Sequence, residues 1–264
     1  MNDERGEHVA NGMRPTNSTM FDFSGTHVLV TGATSGIGHA TATAFMKAGA
    51  AVTVTGRRSS PRGYDVDLGA FEYLQCELES PESVDTVIGA VDGLDVLVNN
   101  AGGAMPRGVG EWDPVGFADA LAVNLSGPMR LTVGLFPVLR ESGAAGGGAV
   151  VNVGSMAAFR TTAPFPGYGA AKSGLVMLTM SLARKWARHG VRVNAVAPGL
   201  TMSARAEQAM ASNPGVLEAE LRRIPMGRAA QPEDIAAPIL FLCTSAAAYV
   251  TGATYAVDGG YLTS

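Results

Sequence analysis

The chain has 264 residues, 47% of them hydrophobic, a net charge of −4 and two cysteines. That length and apolar content are enough for one large α/β domain with a substantial core, while the mild acidity speaks against nucleic acid as a main partner, because neutralising phosphates takes clustered Lys and Arg. Cys76 and Cys243 stand in apolar settings without metal-ligand neighbours, so they read as reduced core residues of a cytoplasmic protein with no metal site.

Residues 1–22 are polar and hold no apolar run long enough for a secretion signal or a membrane span. They are expected to form a disordered arm ahead of a single domain over 23–264. Thr26 to Val30 then reads as a buried strand, and Ala40 to Lys47, stopped by Gly49, as a helix. Between them lies Thr31-Gly32-Ala33-Thr34-Ser35-Gly36-Ile37-Gly38. Glycines on a strand-to-helix turn let a pyrophosphate rest on the unpaired N–H groups and positive dipole end of the helix. Gly32 permits the sharp turn, and a Cβ at Gly36 or Gly38 would block the phosphates. The spacing departs from Gly-x-Gly-x-x-Gly, with three residues between the first two glycines.

Ala51 to Thr55 is a second β-branched strand, ending at Gly56-Arg57-Arg58. A dinucleotide fold that prefers NAD places an acid about 20 residues beyond the glycine turn to bond the ribose. Two arginines stand here instead, and a guanidinium binds a 2′-phosphate that a carboxylate would repel. NADP(H) is favoured on this ground and NAD(H) stays open; two solvated arginines on a loop are the plainer alternative. Ser59 to Ala70 carries Pro61, Gly63 and Gly69 and little periodicity, so the crossover helix is expected to be short or absent. Phe71 to Gln75 is a third strand, Ser80-Pro81-Glu82 starts a helix, and Leu94 to Val98 is a fourth strand running into Asn99-Asn100-Ala101-Gly102-Gly103. That places the Asn pair at the carboxyl edge of the sheet, where ligands bind in doubly wound folds.

Pro114 to Arg140 reads as one long helical stretch. Asn124 is its polar exception: the plain reading is a core Asn satisfied by backbone groups, but Pro128, four residues on, has no N–H to offer the Asn124 carbonyl, which would leave it to hold a water. Ala149 to Val153 is a fifth strand, ending at Gly154-Ser155. Tyr168-Gly-Ala-Ala-Lys172 follows near the start of a helix, with phenol and ammonium on one face. A free tyrosine titrates near pH 10, and an adjacent cation is expected to pull that value down. Val191 to Ala197 is a sixth strand followed by Pro198-Gly199. Thr201 to Arg223 reads as a lid over the substrate, with an ordinary surface helix pair as the plainer alternative, Gln231 to Cys243 as a helix and Ala253 to Val257 as the last strand. Phe159, Phe165, Met202 and Met210 hint at an apolar substrate pocket, although such residues often only pack.

Over about residues 24–261 the sequence resembles the short-chain dehydrogenase/reductases. The matching motifs are Thr31-Gly32-x-x-x-Gly36-x-Gly38, Asn99-Asn100-Ala101-Gly102, Asn124, Ser155, Tyr168-x-x-x-Lys172, Pro198-Gly199 and Val257-Asp258-Gly259-Gly260. The resemblance implies a doubly wound Rossmann-like fold with a seven-stranded parallel sheet in the order 3-2-1-4-5-6-7. It also implies reversible reduction of a ketone to a secondary alcohol. Tyr168 would be the general acid/base, Ser155 would hold the substrate carbonyl, Lys172 would bind the nicotinamide ribose, and Asn124 would anchor a relay water. Cofactor contacts carry over to Thr31, Gly32, Ser35, Gly36, Ile37, Gly38, Glu77, Leu78, Asn100, Ala101, Gly102, Pro198, Gly199, Thr201 and Ser203, besides Arg57 and Arg58. Glu77 stands where the family often has an Asp and Ser203 where it often has a Thr. The three-residue gap between Tyr168 and Lys172 argues against the family's enoyl reductases, which use a longer one. Members of this pattern usually form homotetramers (or dimers). A 3-oxoacyl-thioester reductase, a sugar, polyol or steroid dehydrogenase, and a catalytically silent NADP(H)-binding regulator are the competing readings.

Overall fold

The computed structural model describes residues 21–161, 163–202 and 214–263. Seven strands form one sheet in the order β3-β2-β1-β4-β5-β6-β7, every pairing parallel. They are β1 His27–Val30, β2 Ala51–Gly56, β3 Glu72–Gln75, β4 Val96–Asn99, β5 Gly148–Val153, β6 Val191–Pro198 and β7 Thr254–Val257. The expected order is the observed one.

Strand residues alternate between two cores, as the period of two requires. Val28, Val30, Val96, Val98 and Val151 face one layer, built by α1 (Gly36–Lys47) and α8 (Pro232–Cys243). Leu29, Leu97, Val150 and Val193 face the other. That second layer holds α2 (Pro81–Ala90), a helical run α3 (Pro114–Leu121), α4 (Gly127–Gly134) and α5 (Phe136–Leu139), and the 21-residue α6 (Pro166–Trp186). A further helix, α7, spans Pro214–Leu221. Both faces of the central strands are covered, which explains their unbroken apolar runs.

The run expected as one helix over Pro114 to Arg140 is interrupted by a π turn at Ala122–Ser126. There the Gly127 N–H reaches the Ala122 carbonyl, one residue farther than an α-helix requires. The turn falls just before Pro128, which breaks the regular ladder. A buried polar chain fixes the second layer to the sheet. Asn99 Nδ2 donates to Thr132 Oγ1 on α4 at 2.7 Å and to Asn152 Oδ1 at 2.8 Å, and Asn152 Nδ2 donates to Thr179 Oγ1 on α6 at 2.8 Å. Between β2 and β3 the connection holds only a short 3₁₀ turn at Pro61–Gly63, as its glycines and proline predict.

Candidate active site

A cleft of about 520 Å³ runs along the carboxyl edge of the sheet, over the point where β1 is flanked by β2 and β4. Gly32, Ser35, Gly36, Ile37 and Gly38 form its floor. Gly32 and Gly36 have φ of +64° and +51°, the left-handed region that favours glycine. A Cβ on Gly32 would lie 2.8 Å from Ala101 Cα, and one on Gly38 would overlap Asn100 Nδ2 and lie 2.7 Å from the Gly32 carbonyl. Ser35, the residue before α1, makes no side-chain cap hydrogen bond, so the first-turn N–H groups of α1 face the cleft without a side-chain partner from that position. A pyrophosphate fits such a cradle. Thr31 is buried beneath it rather than lining it: its Oγ1 accepts from the N–H groups of Asn100 and Ala101 at 2.9 and 3.0 Å, tying the β1 turn to the β4 turn.

The two arginines after β2 part company. Arg57 lines the cleft, whereas the Arg58 guanidinium lies over the Tyr64 ring, 4.8 Å from its centroid. Tyr64 takes the Arg58 N–H on its hydroxyl at 2.8 Å, and the Tyr73 hydroxyl donates to the Arg58 carbonyl. The Arg58 side chain thus packs with the tyrosine cluster that replaces the crossover helix, off the cleft wall. Glu77 is likewise off the cleft wall, its N–H bonded to Ser83 Oγ at 2.9 Å, while Cys76, Leu78 and Glu79 flank the cleft at that edge. Cys76 and Cys243 are both buried free thiols, pushed up to about 11 and about 12 by desolvation.

At the other end Ser155, Tyr168 and Lys172 share the wall with Gly102, Pro198, Gly199 and Thr201. Ser155 follows β5, and the other two stand one turn apart on α6. Lys172 is 4% exposed and its Nζ donates to the Val153 carbonyl at 2.8 Å. Burial pulls the ammonium down to about 8. Asn124, at the π turn, is wholly buried: Oδ1 accepts from Gly103 N–H at 2.9 Å, and Nδ2 donates to the carbonyls of Gly103 and Ala120 at 3.0 and 2.9 Å. With the side chain so occupied, a water at Asn124 would have to be met by its main-chain carbonyl. Gly102 must be glycine, because its φ is +155° and a Cβ would lie 2.5 Å from Asn124 Oδ1 and 3.6 Å from Lys172 Nζ.

The expected lowering of the Tyr168 phenol does not hold. Burial raises it, the hydrogen bond with Ser155 opposes, and the Glu111 carboxylate raises it further. Lys172 Nζ lies over the ring, 5.6 Å from its centroid. Three expected substrate contacts also miss the cleft wall. Phe159 is 51% exposed, Phe165 precedes the first residue of α6, and Met202 is held by its N–H on the Ala230 carbonyl at 2.8 Å. Ser203, Met210 and the rest of residues 203–213 of the expected lid lie outside the described residues.

A protein-family model described as "Enoyl-(Acyl carrier protein) reductase" matches residues 32–262. A D-threitol dehydrogenase of Mycolicibacterium smegmatis is 35% identical over 255 residues, 92% of this chain and 96% of its own. The chain belongs to the short-chain dehydrogenase/reductase family. Within it, the 3-oxoacyl-(acyl-carrier-protein) reductase of Vibrio cholerae is 34% identical over 90% of this chain and 98% of its own. An Agrobacterium tumefaciens protein described as a 2-deoxy-D-gluconate 3-dehydrogenase, in a crystal structure with bound NADP, superposes with a TM-score of 0.81 at 33% identity, covering 94% of this chain and all of that one. Like these relatives, the chain is an oxidoreductase of the short-chain dehydrogenase/reductase type acting on alcohols and ketones.

Several residues that shape this dehydrogenase cleft carry no sequence signal of their own. Thr34, Thr55, Tyr64, Pro106 and Val123 line it. Thr55 alone had a foreseeable place, at the carboxyl end of β2, where it accepts the Gly32 N–H on Oγ1 at 3.2 Å. Glu111, 1% exposed, was missed entirely. Among the described residues no group of His, Cys, Asp and Glu is arranged to hold a metal ion, and no helix is long and apolar enough to cross a membrane.

Proposed function

We propose that the protein interconverts a ketone and a secondary alcohol with NADP(H), NAD(H) being the weaker cofactor. One observation carries the reading: Ser155, Tyr168 and Lys172 stand on the wall of the same cleft whose floor is the glycine cradle. When bound, the reduced nicotinamide supplies the hydride. Gly32, Gly36 and Gly38 would hold the pyrophosphate, and Arg57 a 2′-phosphate. Ser155 Oγ holds the substrate carbonyl oxygen. Tyr168 gives its proton to that oxygen in reduction and takes one back in oxidation. A phenol held protonated by burial suits the acid role near neutrality, so reduction is the direction favoured at pH 7 and oxidation gains as pH rises. Lys172, oriented by Val153, would grip the ribose, and the Asn124 carbonyl would hold the water through which the proton is restored.

A domain over 23–264 in the cytoplasm, self-associated as a homotetramer or dimer, completes the reading. Its support is the apolar surface on α3, α4 and α6, where Val115, Met129, Val133, Met177 and Met180 are all more than 40% exposed. A polyol or sugar alcohol is the substrate class favoured by the relatives, and a 3-oxoacyl thioester is the second. A silent regulator would not need an acid, a hydroxyl and an amine together beside the cradle.

The test is Tyr168→Phe, assayed with NADPH on acetoacetyl-coenzyme A and with NADP⁺ on D-threitol. Turnover on whichever probe the wild type accepts falls roughly 10²–10⁴-fold, while the Kd for NADPH stays within about twofold. A variant that kept most of its rate would end the assignment.

A further inference from the structure

Glu111 is a buried carboxylate without a cationic partner among the described residues. Oε1 accepts the Met105 N–H at 2.8 Å and Oε2 accepts the Tyr168 N–H at 2.7 Å. The second bond matters because Phe165, the residue before α6, provides no side-chain cap. A helix of 21 residues thus has a first-turn N–H satisfied by a carboxylate 57 positions back in sequence, at the positive end of its dipole. The neighbours of Glu111 grip the same region. Trp112 Nε1 donates to the Ala163 carbonyl at 2.9 Å, just ahead of α6, and Asp113 caps α3 through the Val115 N–H at 2.8 Å. Gly167 lets α3 and α6 close up, since a Cβ there would lie 2.9 Å from Ala120 Cβ and 3.3 Å from Glu111 Oε2. On the other side, Met105 has φ of +44°, the one non-glycine residue in the left-handed region among those described.

We propose that Glu111 is a positioning residue for the reaction: its carboxylate locks the first turn of α6 to the Met105 loop and thereby fixes where the Tyr168 phenol enters the cleft. Neutral side chains do this less well. An amide in its place offers one acceptor to two N–H groups and turns a donor toward the second. The same carboxylate also bears on the phenol electrostatically. The groups facing Tyr168 are Ser155 from the β5 turn, Lys172 from α6 itself and Glu111 from the segment before α3. Glu111 is the negative one, so it favours the protonated phenol. This inference rests on Tyr168 being the acid/base.

The experiment uses cofactor-free protein and needs no substrate. Tyrosinate absorbance is titrated in wild type and Glu111→Gln, each against its own Tyr168→Phe partner so that one phenol is isolated, and amide exchange of the first α6 turn is followed at pH 7. Glu111→Gln is expected to lower the Tyr168 midpoint by about half a pH unit or more and to speed exchange of the Tyr168 amide roughly tenfold or more, with the Kd for NADPH changed less than about threefold. Glu111→Asp keeps the charge but shortens the arm, so it speeds exchange and leaves the midpoint in place. An unmoved midpoint together with an unmoved amide in Glu111→Gln overturns the proposal. If Glu111→Gln does not fold, Glu111→Asp decides by the amide alone: faster exchange supports the proposal and wild-type exchange overturns it. Turnover retained by Tyr168→Phe would sink the acid assignment while leaving these two readouts intact, so the failures are distinguishable.

Discussion

Replacing Lys172 with Met should make the cofactor-free protein more stable at neutral pH while abolishing its chemistry. The ammonium is 4% exposed and bonded to a single carbonyl, that of Val153, and burial brings its pKa from 10.5 to about 8. That drop corresponds to about 3 kcal/mol of folding free energy. The sign follows from linkage. Below pH 8 the amine is protonated both folded and unfolded, and the folded state bears the full cost of the buried charge. Between pH 8 and 10.5 the unfolded chain binds more protons than the native one, so wild-type stability rises with pH and the cost disappears. Methionine matches the length of the stem and removes the charge, at the loss of a hydrogen bond contributing about 1.5 kcal/mol. The net expectation is a Lys172→Met variant roughly 1–2 kcal/mol more stable at pH 7. The advantage should shrink above pH 8 and reverse near pH 10.5. Urea unfolding of both proteins at pH 6, 7, 9 and 10.5 measures it. A difference that stays constant across that range would refute the argument, because it would mean that the folded amine titrates as the unfolded one does.

Arg57→Ala should weaken 2′,5′-ADP binding about 10–100-fold, the loss of a charge-assisted pair, and leave 5′-ADP within about twofold; isothermal titration with both nucleotides checks it, and equal losses would remove Arg57 from the phosphate site. Arg58→Ala should do much less, because its guanidinium stacks on Tyr64. Gly38→Ala should cost roughly 1–3 kcal/mol through overpacking against Asn100 and the Gly32 carbonyl, with NADPH binding lost in fluorescence titration. Gly89→Ala is its control: nothing lies within 4 Å of a Cβ at that position on α2, so stability should rise by about 0.5–1 kcal/mol.

The strands were legible because β-branched runs between glycine turns have few other uses, while the parallel sheet and its strand order came with the family resemblance. The cradle and the one-turn spacing of Tyr168 and Lys172 were legible because sequence distance maps onto space there, while the roles of Ser155, Tyr168 and Lys172 came with the family resemblance. What stayed hidden depended on distance across the fold. Arg57 and Arg58 are identical in type and adjacent, yet a tyrosine six residues on captures one and leaves the other. Glu111 reads as an ordinary polar residue before a helix; only its 57-residue reach to Tyr168 gives it meaning. The expected lowering of the phenol failed on burial, which sharing a helix face with a cation does not reveal. The π turn was half visible: Pro128 signalled a broken ladder, though not that the break would be absorbed by widening the helix upstream.

The margin of the sheet at β3 is built differently from its interior. Four residues long and bordered by a connection with one 3₁₀ turn, β3 is kept in place on that side by two phenols and a stacked guanidinium instead of a helix. Such a border yields to solvent before the centre does, so its amide protons should be among the first in the sheet to be traded for deuterium. A nucleotide entering over Arg57 therefore meets the part of the wall that gives most readily, while the end that handles protons stays anchored by the long helix behind it.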